Sequence, residues 1–241
     1  MQAFILAAGV GSRLRPYTDH LPKPMLPLAG RPILDDTIRR LAHHGVCDLV
    51  VNVHHLPETI RRYFGNGSRH GVHITYSEET RLLGTAGGVK RWEAHFTDTF
   101  FVIYGDNLAT CDYHALLRHH HDSEAVVTVA LHERDDVTGS GMVVLDEHNR
   151  ITAFVEKPRA ADAVSRHVNA GILVLEPAVF QSVPPDTPWD FSRDVLPQLL
   201  AEQQRLFGYH LDEELIYIDR VQDYERTLRR IATGDLAIDR S

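Results

Sequence analysis

Apolar and polar positions along the chain fall into two regimes. In the first half, short apolar runs alternate with segments whose apolar residues recur every three or four positions. Residues 3–8, 48–53, 73–76 and 99–104 read as strands, and the last is apolar almost throughout, as in a strand covered on both faces. Between them, residues 33–44 place Leu34, Ile38 and Leu41 at helical spacing. Residues 57–64 put Ile60, Tyr63 and Phe64 on one face, and 85–95 and 113–121 also read as helices. This alternation predicts a mostly parallel sheet with helices on both faces. The second half changes character. Strands predicted at 125–131, 141–145, 151–156 and 168–175 follow with few long helices between them, which implies an antiparallel or mixed extension over the carboxyl ends of the first strands. A helix at 193–203, strands at 206–211 and 215–218, and a helix at 223–231 complete the pattern. No repeat, low-complexity linker or heptad run interrupts it. The expectation is one Rossmann-like α/β domain, a three-layer sandwich around a mixed, mostly parallel sheet. Its site should lie outside the carboxyl edges of the strands.

Composition narrows the function without changing the fold. The 241 residues are 43% hydrophobic and 24% charged, ordinary for a globular protein. A formal net charge of −8 argues against a general nucleic-acid binder, but not against an anionic small molecule held by a local cluster of cations. No apolar run is long enough to span a bilayer, and the first is broken at once by glycine and arginine, unlike a signal peptide. A cytoplasmic protein with no nucleic-acid or membrane partner is expected. Cys47 and Cys111 form no CxxC pair and read as small apolar fillers. Histidine is abundant, 16 in all, with pairs at His43-His44 and His54-His55 and a triplet at 119–121. None has a partner at metal-site spacing. The triplet reads as a solvated helix face, whereas His54 and His55 follow a strand end within reach of a pocket.

The chemistry begins where the first strand ends. Ala8 and Gly9 lead into Gly11, Ser12 and Arg13, and Lys23 lies between two prolines. A dinucleotide fingerprint would need a third Gly or Ala where Leu14 stands, and the Gly-Lys-Ser/Thr of a P-loop is missing. Two glycines after a strand make a tight turn whatever the function. With Ser12, Arg13 and Lys23 beside them, they also suit a triphosphate: backbone N–H groups can approach an anion, and Arg13 offers a planar fork to its oxygens.

Residues 6–30, LAAGVGSRLRPYTDHLPKPMLPLAG, resemble the signature of the sugar-1-phosphate nucleotidylyltransferases. The resemblance continues through LLGTAGGVK at 82–90, YGDN at 104–107, VEKP at 155–158 and NAGILVLEP at 169–177. It implies an enzyme of the nucleotide-diphospho-sugar transferase fold. Its substrates would be a nucleoside triphosphate and a sugar 1-phosphate, its cofactor Mg²⁺ and its products an NDP-sugar and pyrophosphate. The attacking phosphate oxygen is already ionised at neutral pH, so charge stabilisation matters more than a general base. By this resemblance Arg13, Lys23 and Asp106 are catalytic. Ala8, Gly9, Gly11, Ser12, Arg13, Gly84 and Thr85 bind the nucleotide. Gly141, Glu156, Lys157, Asn169 and Gly171 bind the sugar phosphate, and Asp106 holds the metal. The nucleotide half spans about residues 1–110 and the sugar half about 111–241, with no room for the β-helix that longer members append.

The resemblance breaks near the end. Aligned without a gap, the family's second metal-binding Asp falls on Tyr217. Three readings follow: Asp219 is a displaced ligand, Asp106 and phosphates hold the metal alone, or activity is weak. The motifs and length look closest to guanylyltransferases acting on mannose or heptose 1-phosphate. Uridylyl transfer, as to N-acetylmuramate 1-phosphate, is the alternative. A catalytically weak nucleotide-binding protein is the alternative of another class. The sugar or cyclitol phosphate and the oligomeric state stay open.

Overall fold

The computed structural model describes residues 1–212 and 214–236. The first half gives β1 (Gln2–Leu6), a small ribbon of β2 (Pro27–Leu28) and β3 (Arg31–Pro32), α1 (Ile33–His43), β4 (Asp48–Val53) and α2 (Pro57–Phe64). It continues with β5 (His73–Glu78), α3 (Gly84–Lys90), β6 (Phe100–Tyr104) and α4 (Tyr113–Asp122). The second half adds β7 (Val127–Glu133), β8 (Gly141–Leu145), β9 (Ile151–Glu156), β10 (His167–Leu175), α5 (Leu196–Ala201), β11 (Leu206–His210) and α6 (Val221–Thr233).

Among the described residues the main sheet runs β11-β7-β10-β6-β1-β4-β5, with the β8–β9 hairpin attached through β10. β1 lies parallel between β4 and β6, and β4 pairs parallel with β5. Only β10 reverses along this path, antiparallel to both β6 and β7, while β11 returns parallel to β7. This is the mixed, mostly parallel sheet the alternation predicts.

Alternate residues of each central strand feed opposite cores. Ala3 and Ile5 of β1, with Leu49, Val51 and Val53 of β4, pack against Leu34, Ile38 and Leu41 of α1, Ile60 and Phe64 of α2, and Leu116 of α4. Phe4, Val50 and Val102 face the other way, toward Ala86 and Val89 of α3 and Leu196 and Leu199 of α5. A third cluster is the one that shapes the site. Leu14, Leu26, Leu28 and Ile33, between the end of β1 and the start of α1, meet Leu108, Ile218 and Tyr224, and so bind the start of the chain to its end. Tyr224 also donates to the Pro27 carbonyl at 2.9 Å.

Several local expectations change. β1 ends at Leu6, because Ala7 and Ala8 turn their N–H groups to the Asn52 side chain. The helix expected over 85–95 stops at Lys90 and continues as turns. The helix expected over 193–203 opens as a π-helical segment, Phe191–Val195, before α5 begins. Residues 215–218 form no strand: Ile216 makes a single antiparallel bridge to Leu108. The triplet at 119–121 is not a solvated face. His120 is buried, with Nδ1 2.9 Å from Thr128 Oγ1 and Nε2 3.1 Å from Glu176 Oε1. Burial lowers its pKa despite Glu176.

Candidate functional site

Two clefts open along the carboxyl ends of β1 and β6 and the amino-terminal part of the reversed β10, and they share Arg13, Asp106 and Asp219. The smaller, about 250 Å³, is walled by Gly9, Val10, Gly11, Ser12 and Lys23. The larger, about 320 Å³, carries Glu156, Lys157, Asn169, Gly171, Thr85, Tyr104 and Tyr217.

The loop of the smaller cleft is set by its glycines. Gly11 has φ 64°, and a Cβ there would stand 3.0 Å from Thr18 Cγ2 and 3.1 Å from Lys23 Cβ. Thr18 donates to the Gly11 carbonyl at 2.8 Å and holds the turn closed. Gly9 has open space where a Cβ would be, so a ligand can approach its backbone. Ser12 and Arg13 follow in a short 3₁₀ turn, Ser12–Leu14, anchored by the buried Leu14.

Lys23 is buried between two carboxylates. Its Nζ lies 2.7 Å from Asp106 Oδ2 and 3.0 Å from Asp219 Oδ1, and Arg13 stands 3.7 Å from the same Asp219 oxygen. Burial alone would lower the Lys23 pKa, but the charges of Asp106 and Asp219 outweigh it and raise it above the ordinary lysine value. Burial would raise Asp219, and Lys23 with Arg13 and Arg134 instead hold it below the ordinary Asp value. Asp106 follows β6 directly after Gly105, which is packed against Ile5 and Leu34. Asp219 arrives from the other end of the chain, placed by the neighbouring buried Ile218 and by the start of α6, where the Arg220 N–H donates to Asp223. Of the two positions, Tyr217 and Asp219, Asp219 is the one that shares the Lys23 ammonium with Asp106. Tyr217 lies in the wall of the larger cleft, its ring under the Arg134 guanidinium at 4.3 Å.

The larger cleft is built on the β8–β9 hairpin and a bulge in β10. Gly141 pairs with Glu156, and a Cβ on it would strike the Phe154 ring and stand 3.1 Å from Glu156 Oε2. Lys157 takes a left-handed φ of 51°, costly for a non-glycine residue, and its N–H is fixed to the Ser140 carbonyl. Its ammonium rests 3.3 Å from Glu156. The register of β10 shifts between Asn169 and Leu173, where Gly171 has φ 78° and donates its N–H to Asn169 Oδ1 at 2.8 Å.

Most of the residues expected at the site thus line these two clefts, with three differences. Ala8 is buried and bonded to Asn52. Thr85 lies in the larger cleft rather than beside the glycine loop, and Gly84 lines neither cleft, packed against the Trp189 backbone. The N–H groups of Thr85, Ala86 and Gly87 at the start of α3 are already taken by Asp190 and the Trp189 carbonyl. His54 and His55 face the Glu79 and Thr18 carbonyls and line neither cleft.

Other residues of the site were not anticipated. Asn52 Oδ1 accepts from Ala7 and Ala8 at 2.6 and 3.1 Å, its Nδ2 donates to Glu79, and Glu79 accepts from the Leu83 N–H. This buried chain ties the glycine loop to α3; its one signal was a lone amide inside an apolar strand. Asn107 lines the larger cleft with a buried Oδ1 that has no partner among the described residues, and it stood in the YGDN motif. Asp190 and Arg193 also line this cleft, at positions without any motif signal. Among the described residues no three His, Cys, Asp or Glu side chains gather as a metal cluster, and Asp106 and Asp219 are the carboxylates that line both clefts.

The sequence and the fold both recur in known proteins. The profile of the family described as nucleotidyl transferase matches residues 2–215. A UTP–glucose-1-phosphate uridylyltransferase from Synechocystis sp. is 34% identical over 98% of the chain, and a mannose-1-phosphate guanylyltransferase from Mycobacterium tuberculosis is 36% identical over 87%. The chain spans 64% and 58% of those two proteins' lengths. The crystal structure of HddC from Yersinia pseudotuberculosis complexed with GMP-PN superposes with a TM-score of 0.80, covering 95% of this chain and 99% of that one at 24% identity. The glycine loop, the paired carboxylates and the matched span together establish that the chain belongs to the nucleotidyl transferase family, as a sugar-1-phosphate nucleotidylyltransferase relative.

Proposed function

We propose that the protein transfers a nucleoside monophosphate from a nucleoside triphosphate, GTP by preference, to a sugar 1-phosphate, giving an NDP-sugar and pyrophosphate. The observation that carries this reading is the junction of the two clefts at Arg13, Asp106 and Asp219, with Lys23 2.7 and 3.0 Å from the carboxylates. A triphosphate on the glycine loop and a sugar phosphate on Lys157 would meet there.

A phosphate oxygen of the sugar attacks the α-phosphorus, the bond from that phosphorus to the bridging oxygen of the β-phosphate breaks, and pyrophosphate leaves with the electron pair. Arg13 faces the triphosphate and the charge that grows on the leaving group. Lys23, fully charged by its neighbours, stands by the α-phosphate. Lys157 draws the sugar phosphate in, while Glu156 and Asn169 accept or donate hydrogen bonds with sugar hydroxyls. Two carboxylates beside phosphate oxygens suit Mg²⁺, an ion that takes one or two carboxylates plus phosphates. Asp106 and Asp219 would hold it, and it would supply further positive charge to the α-phosphate.

Guanylyl transfer is favoured by the 36% identity to a mannose-1-phosphate guanylyltransferase. Uridylyl transfer is the second reading, because the uridylyltransferase relative aligns over 98% of the chain at 34% identity. Pyrophosphate release with Mg²⁺, measured for GTP, UTP, dTTP, CTP and ATP against a panel of sugar 1-phosphates, tests both. GTP should give the highest kcat/KM. A preference for UTP would select the second reading, and nucleotide binding without turnover on any pair would sink the enzyme reading.

A further inference from the structure

A third cleft, about 720 Å³ and larger than either reaction cleft, lies between α1, α2 and the loop that carries Lys23. None of its lining residues belongs to the site described above. One wall is apolar: Leu21, Met25, Pro27 and Pro32. The rim is cationic: Arg39, Arg62 and Arg69, with His70 beside them.

The charges around it are unbalanced. Among the described residues the one carboxylate lining the cleft, Asp35, is fully buried and already engaged by Arg39 at 2.7 Å, His70 at 2.8 Å and the Tyr63 hydroxyl at 3.3 Å. Arg62 is exposed, and Arg69 gives one hydrogen bond to the Tyr63 carbonyl. The His70 side chain is 8% exposed, and its Nδ1 is buried with no partner among the described residues. On a chain of net charge −8, a pocket that holds two guanidinium groups besides the Arg39–Asp35 pair is a local reversal of the field. Guanidinium forks pair with phosphate oxygens, and an apolar wall of proline, leucine and methionine suits a flat or aliphatic body.

We infer that this cleft is a second ligand site for a small organic phosphate, whose phosphate pairs with Arg62 and Arg69 and whose apolar body lies on Met25, Pro27 and Pro32. Its position couples it to the reaction site. Met25 closes the 3₁₀ turn Lys23–Met25, so a ligand seated against Met25 bears on the segment that holds the central lysine. The inference does not depend on which nucleotide the reaction cleft takes.

Phenyl phosphate is a suitable probe, because it has one dianionic head and one flat apolar body. Its binding is followed by titration calorimetry on the full chain, with inorganic phosphate and phenol as controls. Arg62→Gln and the double variant Arg62→Gln/Arg69→Gln alter exposed side chains, and their thermal unfolding is recorded alongside; Lys157→Gln marks the reaction cleft. The expected result is saturable binding of phenyl phosphate, tighter than that of inorganic phosphate. It should weaken about tenfold or more in the double variant, stay unchanged in Lys157→Gln, and fall with added salt. Loss only in Lys157→Gln would place the probe in the reaction cleft and overturn the inference. So would binding that ignores both variants, or no saturable binding at all. If the double variant does not fold, Arg62→Glu alone decides, since one exposed side chain carries half of the proposed phosphate contact.

Discussion

Asp219 Oδ1 lies 3.0 Å from the Lys23 ammonium across 196 positions of sequence, and the same lysine holds Asp106 at 2.7 Å. One buried cation thereby fixes two carboxylates at the meeting point of two clefts. If those carboxylates serve a divalent cation, Asp219→Ala should lower kcat by about 10²-fold or more. It should also shift the Mg²⁺ dependence to higher concentration, with the fold retained by circular dichroism. An unchanged Mg²⁺ titration would remove Asp219 from a metal role.

Lys23→Met reads the same arrangement from its centre. The substitution leaves two partly buried carboxylates facing one another without their shared cation. A loss of about 1–3 kcal/mol in urea unfolding is expected, in line with stranding partly buried polar groups. Added Mg²⁺ should recover more stability in this variant than in the parent, because the carboxylates are freed for the ion. Equal Mg²⁺ effects on both proteins would count against an ion between Asp106 and Asp219.

Much of this was legible in the sequence because it is local. The alternation of apolar runs gave β1, β4, β5, β6 and α1, since each buries one or both faces against its neighbours. The glycine loop was readable because Gly11 must take a positive φ beside Lys23. What was not legible is what long-range packing decides. Nothing near residues 215–220 says that Leu108, Ile218 and Tyr224 join Leu14 and Leu26, yet that cluster carries Asp219 to Lys23. A gap-free alignment, which sees only local spacing, falls on Tyr217 instead. Asn52 was hidden for the opposite reason: its partners are backbone groups and one distant carboxylate, which leave no motif. Gly84 and Thr85 read as nucleotide contacts, yet the Thr85 N–H is spent on Asp190, in a segment that no local pattern brings there.

Asn52 should matter more than its absence from any motif suggests. Asn52→Leu would strand the Ala7 and Ala8 N–H groups and one Glu79 oxygen in a dry interior. About 2–4 kcal/mol of destabilisation is expected from two or more unpaired groups. Because the same contacts seat the glycine loop, the KM for the nucleotide should rise even below the unfolding transition. Unfolding midpoints and nucleotide KM, measured together, check this; a stability loss with unchanged KM would confine Asn52 to the core.

The two loop glycines should separate stability from binding. At Gly11 a methyl group meets a left-handed φ of 64° and close contacts with Thr18 and Lys23, so Gly11→Ala should cost about 1–2 kcal/mol. At Gly9 a methyl group meets nothing within 4 Å, so Gly9→Ala should leave the unfolding midpoint unchanged. If the triphosphate lies against Gly9, that variant should weaken nucleotide binding all the same. Calorimetric affinity and thermal midpoints for the pair decide it, and a Gly9→Ala protein that binds as the parent does would move the triphosphate elsewhere.

Acid should unfold the protein partly through Asp35 and Asp219. Burial would raise the Asp35 pKa, but its hydrogen bonds to Arg39 and His70 outweigh this and hold it below the ordinary value of 3.8; Lys23 and Arg13 do the same for Asp219. A carboxylate whose pKa is lower in the folded chain contributes stability that is complete above its unfolded value. That stability is lost as pH falls through the folded value, because protonation then favours the unfolded chain. Urea unfolding free energy should therefore hold steady, as far as these two groups go, down to about pH 4–5 and fall below that. Asp35→Asn should be less stable than the parent at neutral pH, where the parent's ionised carboxylate binds Arg39 and His70. It should also lose less on acidification, because one titrating group is gone. Parallel stability curves for parent and variant between pH 6 and pH 3 would show that Asp35 does not drive the acid transition.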